Sequence, residues 1–209
     1  MNAPSKRVLR KACEVLSQRD AILAQAYAEV DLPNWRGTEA SFRTLARIVV
    51  YQLISTKAAD AIWARVEARY EAVTASQVLG DDHDALLAYG LSRPKLGHML
   101  AIAEAVQTGI LNFDQLAKAP IGEARKTLLK VRGIGPWTAE TFLMNALGHL
   151  DAFPHGDVGL MESFKRLSGA GARLSAKDFS KQAANWQPYR AVAAHLLYDW
   201  LYLDRARAL

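Results

Sequence analysis

The chain has 209 residues, just over half of them apolar, a formal charge of +5 and a pI near 9.4. That composition fits one large or two small domains with an ample core, and the mild basic excess suits a nucleic-acid partner without demonstrating one. A single cysteine, Cys13, excludes an internal disulfide framework and any cysteine-only metal or iron–sulfur site.

The N-terminal run Met1-Asn2-Ala3-Pro4-Ser5-Lys6-Arg7 is basic and lacks the apolar core of a secretory signal. No apolar run reaches the roughly 18 residues of a membrane span. A soluble, cytoplasmic chain with no membrane partner is expected. From there, helical periodicity dominates. It predicts helices over 5–17, 19–31, 39–54, 56–71, 82–89, 93–108, 112–117, 121–131, 137–148, 155–168, 175–184 and 188–205. Cys13 falls on the first of these as a half-buried residue. Thr38 or Glu39 opens the third helix, Asp82 the fifth and Ser175 the penultimate one. Gly80, Gly90, Gly109 and Gly148 stand at helix ends. The β-favouring run Ile48-Val49-Val50-Tyr51 lies inside a longer helical pattern, and no series of alternating strands is found. The chain therefore reads as all-α.

The stretch from Leu128 to Ala139 is the most informative. It reads as a helix, a glycine hairpin over residues 132–136, and a second helix. Gly133 and Gly135 permit positive φ and a close backbone approach. Pro136 presets the first turn of the next helix. Such a hairpin presents backbone N–H groups at a helix N-terminus, an anion site suited to a phosphate. Twenty residues beyond Trp137 stands Asp157, in Phe153-Pro154-His155-Gly156-Asp157-Val158-Gly159.

Five segments in order resemble the helix-hairpin-helix, Gly-Pro-Asp superfamily of DNA glycosylases. They are Phe42 to Ala59, Gly90-Leu91-Ser92-Arg93-Pro94-Lys95, the hairpin, Asp151 to Asp157, and Trp186-Gln187-Pro188-Tyr189-Arg190-Ala191-Val192-Ala193-Ala194. Within that superfamily the best match is the 3-methyladenine DNA glycosylase II type. The resemblance implies two helical subdomains flanking a cleft that holds the active site. Residues 1–37 with 120–209 would form one subdomain and 38–119 the other. The chain would be the helical core without the β-rich N-terminal domain of longer members. A monomer acting on double-stranded DNA that contains damaged bases, nucleoid-associated as in bacteria, is expected.

The resemblance also assigns roles. Asp157 would be the catalytic carboxylate, stabilising positive charge on the sugar as the N-glycosidic bond breaks. Read alone, it is equally a helix N-cap; the two roles are compatible, because a helix N-terminus favours an ionised carboxylate. Trp137 stands where strand-nicking members carry a lysine, so Schiff-base chemistry is not expected. It would line the base pocket or pack between helices. His155, two residues before Asp157, would touch the substrate or remain a surface histidine. Gln52 and Leu53 occupy the wedge position, where Leu53 would fill the gap left by an extruded base or stay buried on its helix. Gly133, Gly135, Thr138, Arg132 and Lys95 would contact phosphates, with Arg93 and Lys57 as further electrostatic contacts and Lys130 near the hairpin. Each of these charges is otherwise an ordinary solvated one. The carbonyls of Val131 and Ile134 would hold a monovalent cation. No organic cofactor is implied, and the five histidines show no metal spacing. Tyr189 and Arg190 would tie the last helix to the cleft. Aromatics that the family often places at the positions of Thr141 and Leu197 are missing.

The favoured function is a monofunctional glycosylase for alkylated bases, 3-methyladenine or 7-methylguanine type, in base excision repair. The alternatives are a non-catalytic DNA-binding module and a glycosylase for oxidised or mismatched bases.

Overall fold

The computed structural model describes residues 3–207. Its helices are α1 (Lys6–Arg19), α2 (Ala21–Val30), α3 (Phe42–Tyr51), α4 (Thr56–Arg69), α5 (Ala75–Leu79), α6 (His83–Ala88) and α7 (Arg93–Gln107). They continue with α8 (Phe113–Lys118), α9 (Ile121–Leu129), α10 (Pro136–Asn145), α11 (Val158–Ser168), α12 (Ala176–Ala183) and α13 (Arg190–Arg207). No strand occurs among the described residues. The all-α expectation holds.

Local chemistry explains most of the boundaries. Ser5, Asp20, Ser41, Ser55, Thr74, Asp82, Ser92, Asn112, Asp157 and Ser175 each cap a helix through a side-chain oxygen that accepts a backbone N–H. The third helix opens at Ser41, whose Oγ takes the Thr44 N–H at 3.3 Å, and not at Thr38 or Glu39. Helix α5 has no counterpart among the expected helices. Five residues are too few to display a helical period, and the cap Thr74 is its one local signal. Gly90, Gly109 and Gly148 all have positive φ just past a helix end.

The chain divides into two compact units. One runs to Thr38 and resumes at Gly148; the other is Glu39–Leu147. The expected second boundary near residue 120 is thus displaced to 147. The reason is packing: α9 and α10 pack on each other, and α10 packs on α3. Leu128, Phe142 and Leu143 are buried there without any exposure. Arg125 on α9 pairs with the buried Glu140 on α10, Nη2 to Oε2 at 3.2 Å.

In the other unit, α13 packs on α2 and α11, and α1 on α2. Its core holds Phe153, Phe164, Phe179 and Trp186, with ring centroids 5.3–5.8 Å apart in tilted or edge-on pairs. Burying each such ring contributes about 1.5–3 kcal/mol. Asp20 is buried beside them and accepts three hydrogen bonds. It accepts from Ile22 N at 2.9 Å, Gln182 Nε2 at 2.8 Å and Trp186 Nε1 at 2.7 Å. A buried carboxylate with three donors avoids the cost of an unsatisfied charge. Cys13 is fully buried, not half-buried, and desolvation pushes its thiol up to about 12.

Candidate functional site

The hairpin belongs to the Glu39–Leu147 unit and shows two glycines with different causes. Gly133 has φ +91°, and a Cβ placed on it would lie 2.3 Å from His98 Cβ and 2.9 Å from His98 Cα. Helix α7 passes too close for any side chain. Gly135 has φ −83° and ψ 177°, so the positive φ expected there is absent. Among the described residues other than its chain neighbours, nothing lies within 4 Å of where its Cβ would stand. The fold does not demand this glycine; it leaves open space above the start of α10. Helix α10 also starts without a side-chain cap and with Pro136 in its first turn. The positive end of its dipole and its first N–H groups therefore suit an external anion.

Gln52 and Thr138 sit in the same unit and correct two expectations. Gln52 Nε2 donates to Thr138 Oγ1 at 2.8 Å and to the Gly133 carbonyl at 3.2 Å. Gln52 is thus no wedge; it clamps the hairpin to the end of α3. The Thr138 side chain is 1% exposed and its hydroxyl accepts that amide, so only its backbone N–H suits a phosphate. Leu53, the next residue, is the opposite. It is completely exposed and holds φ +58°, a left-handed conformation unusual for leucine.

Lys95 also departs from expectation. Its Nζ donates to the Val50 carbonyl at 2.7 Å, capping the C-terminal end of α3, and burial lowers its pKa. It is a structural contact, not a free phosphate ligand. Arg132, Lys130, Arg93 and Lys57 are exposed. Trp137 is half-buried in the first turn of α10, and its carbonyl accepts from Thr141 Oγ1 at 2.7 Å. The Val131 carbonyl accepts from Ile134 N at 3.1 Å, which leaves one of its lone pairs for a cation.

The carboxylate belongs to the other unit. A tight turn, Asp157 N to the Pro154 carbonyl at 2.8 Å, delivers Asp157 to the N-cap of α11. Its Oδ1 accepts from Leu160 N at 3.0 Å. His155 is half-buried on the same turn. Arg190 grips Asp151 with two bonds of 2.8 Å, and Ala191 N donates to the Leu150 carbonyl at 2.9 Å. The first turn of α13 is thereby fixed to the segment that carries Asp157. Arg190 thus acts as a tether within its own unit.

One residue beside Asp157 was not legible in the sequence. The phenol of Tyr198 on α13 is held neutral, well above its ordinary pKa, first by burial and then by the Asp157 carboxylate to which it hydrogen-bonds. Leu197, where an aromatic was sought, is fully buried. A periodicity argument that tracked which face of α13 meets α11 would have pointed to 198. Arg36 lies over the Tyr198 and Tyr202 rings, 5.6 and 5.4 Å from their centroids, and pairs with Asp199. Its Nη1 donates to His195 Nδ1 at 3.4 Å. His195 is buried, and burial followed by Arg36 lowers its pKa to about 3. A guanidinium only donates, so Nδ1 accepts and the ring proton sits on Nε2. The stretch Asn34–Arg36 therefore docks on α13, with Asn34 N bonded to Asp199 Oδ2 at 2.6 Å.

Among the described residues, no group of three or more His, Cys, Asp or Glu side chains is placed to hold a metal ion. No helix among them is long and apolar enough to cross a membrane.

Comparison with known proteins gives a consistent picture. A DNA-3-methyladenine glycosylase of Bacillus subtilis is 34% identical over 108 residues, 52% of this chain and 36% of that protein. The chain thus spans little more than a third of that curated relative's length. Among solved structures, a Schizosaccharomyces pombe 3-methyladenine DNA glycosylase in complex with abasic DNA superposes with a TM-score of 0.83 at 25% identity, covering 90% of this chain and 95% of that one. A DNA-3-methyladenine glycosidase from Bacillus halodurans gives a TM-score of 0.76 at 30% identity, covering 99% and 94%. Residues 46–188 match the family model described as HhH-GPD superfamily base excision DNA repair protein. With its hairpin, its Asp157 segment and this match over most of its length, the chain belongs to the HhH-GPD superfamily of base excision DNA repair proteins.

Proposed function

We propose that this protein is a monofunctional DNA glycosylase that hydrolyses the N-glycosidic bond of alkylated bases, of 3-methyladenine or 7-methylguanine type, in double-stranded DNA. The observation that carries the reading is Asp157, a carboxylate held at the N-terminus of α11 with one oxygen bonded to Leu160 N. The positive end of the helix dipole lies against it. As the C1′–N bond breaks, its electron pair leaves on the base, and positive charge develops on C1′ and the ring oxygen. An ionised carboxylate stabilises that charge, orients the water that adds at C1′ and takes the proton which that water loses, leaving an abasic site. The relatives named for 3-methyladenine support the substrate class.

The remaining parts have assigned work. Gly135 and the N-terminal end of α10, with its dipole, grip backbone phosphate, with Arg132 adding salt-sensitive affinity. The carbonyls of Val131 and Ile134 would hold a monovalent cation, which supplies charge to the bound phosphate. Leu53 enters the stack when the damaged base is extruded. Trp137 offers a π-face to electron-poor or cationic bases, and His155 stands near the leaving base. Indole cannot form a Schiff base, so strand cleavage does not follow.

The test is excision from methylated duplex DNA, read as heat-labile abasic sites. Asp157→Asn is expected to lose at least about a hundredfold in rate. Asparagine caps helices as well as aspartate does, so the thermal midpoint and DNA affinity should be kept. Undiminished excision by that variant would remove Asp157 from the chemistry. Borohydride should trap no covalent adduct; an adduct would overturn the monofunctional assignment.

A further inference from the structure

Tyr198 has no part in the mechanism above, yet it shares a small space with the carboxylate. A methyl group on Gly159 would stand 3.1 Å from Asp157 Oδ1 and 3.6 Å from Tyr198 Cε1. The ring carbon next to the phenol oxygen and the carboxylate oxygen therefore flank the same empty position over the first turn of α11. We propose that Tyr198 is a positioning residue for Asp157, donating its phenolic hydrogen bond to the carboxylate and fixing the rotamer from which that group faces the sugar. The proposal rests on the reading of Asp157 as the charge-stabilising carboxylate.

The physical case has three steps. An ionised carboxylate only accepts and has several lone pairs, so the N-cap bond to Leu160 N leaves capacity for a further donor. A phenol that stays neutral supplies that donor in a charge-assisted bond without adding charge of its own. The phenol is itself fixed, because Arg36 covers its ring and is held by Asp199 on the same helix. Gly159 completes the arrangement by carrying no side chain where the pair needs room. Preorganisation of this kind adds to rate and leaves ground-state affinity alone.

The experiment compares wild type, Tyr198→Phe, Asp157→Asn and the double variant. Single-turnover excision from methylated duplex and affinity for duplex containing an abasic-site analogue are measured for each. Tyr198→Phe keeps the ring and its packing. It should slow excision about tenfold while affinity stays within about twofold. In the Asp157→Asn background the same change should cost nothing further, because the charged carboxylate that Tyr198 positions is gone. Gly159→Ala, which crowds Oδ1, should repeat the loss of rate. Wild-type rates for Tyr198→Phe beside an inactive Asp157→Asn would overturn the positioning role alone. An equal loss in both backgrounds would also overturn it, placing Tyr198 independent of the carboxylate. Full activity of Asp157→Asn would instead overturn the underlying reading.

Discussion

Two helix N-termini in this protein meet the same physical demand in opposite ways. Every helix begins with unpaired N–H groups and a partial positive charge. At α11 the chain supplies its own anion, Asp157, whose oxygen takes the Leu160 N–H. At α10 it supplies none: the cap position is Gly135, which has no side chain to offer. The first solution makes a fixed carboxylate, useful for stabilising a cation. The second leaves a place for someone else's anion. One local feature thus takes two forms, a helix start with its own carboxylate in one unit and a helix start without a capping side chain in the other, and the cap residue decides which.

The supports behind the two ends also differ. The hairpin is held by steric fit and by neutral hydrogen bonds from Gln52. The carboxylate stands beside a network of charged and titratable groups, Arg36, His195, Tyr198 and Asp199. Perturbations should separate them. The largest effect is expected at Gly133. Alanine there meets both a positive φ and His98 backbone, and should cost about 3 kcal/mol or more in chemical denaturation. Wild-type stability in that variant would mean that α7 and the hairpin are less closely packed than described.

Acid should loosen the carboxylate's unit specifically. Unfolded His195 binds a proton below its ordinary pKa of 6.5, whereas folded His195 does so only near 3. Between those values the unfolded state carries more protons, so stability falls as pH falls, by up to about 1.4 kcal/mol per pH unit. Thermal midpoints of His195→Leu should show a shallower acid slope than wild type; parallel slopes would refute the assignment.

Leu53 tests function against strain. Leu53→Gly relieves a left-handed leucine and should gain about 1 kcal/mol of stability. As its side chain is fully exposed, no packing is lost. Excision from duplex should nevertheless fall roughly tenfold if the side chain fills the vacated stack. Unchanged excision would leave the exposure of Leu53 without that purpose. The smallest effect belongs to Gly135→Ala. Folding should change by no more than about 1 kcal/mol at a cap without neighbours. The methyl group would occupy the approach of a phosphate, and affinity for duplex should drop several-fold at low salt. An equal drop in stability and affinity would show that Gly135 serves the fold.

Helices, caps and the hairpin were legible because they depend on nearby residues: an oxygen three positions before an N–H, a glycine at a chain reversal, an apolar period. The all-α class, the capping by Asp82 and Ser175, and the position of Asp157 at a helix start followed from such local rules. What failed did so for non-local reasons. Lys95 looked like a phosphate ligand because exposed lysines usually are solvated, but a carbonyl 45 residues away captures it. Gln52 and Thr138 looked like independent contacts, yet they bond to each other across 86 residues. Tyr198 went unread because its partner, the N-cap residue of α11, is 41 residues away in sequence.

The order of residues by itself determined where most helices start and stop, which loop turns on glycines, and which carboxylate stands at a helix start, since these answers lie within a few bonds along the chain. Tertiary structure decided which of two glycines was obligatory, which polar side chains were already spent on neighbours, and which tyrosine reaches Asp157. Those outcomes depend on how closely segments distant in sequence approach, and that distance is set only when the core has packed.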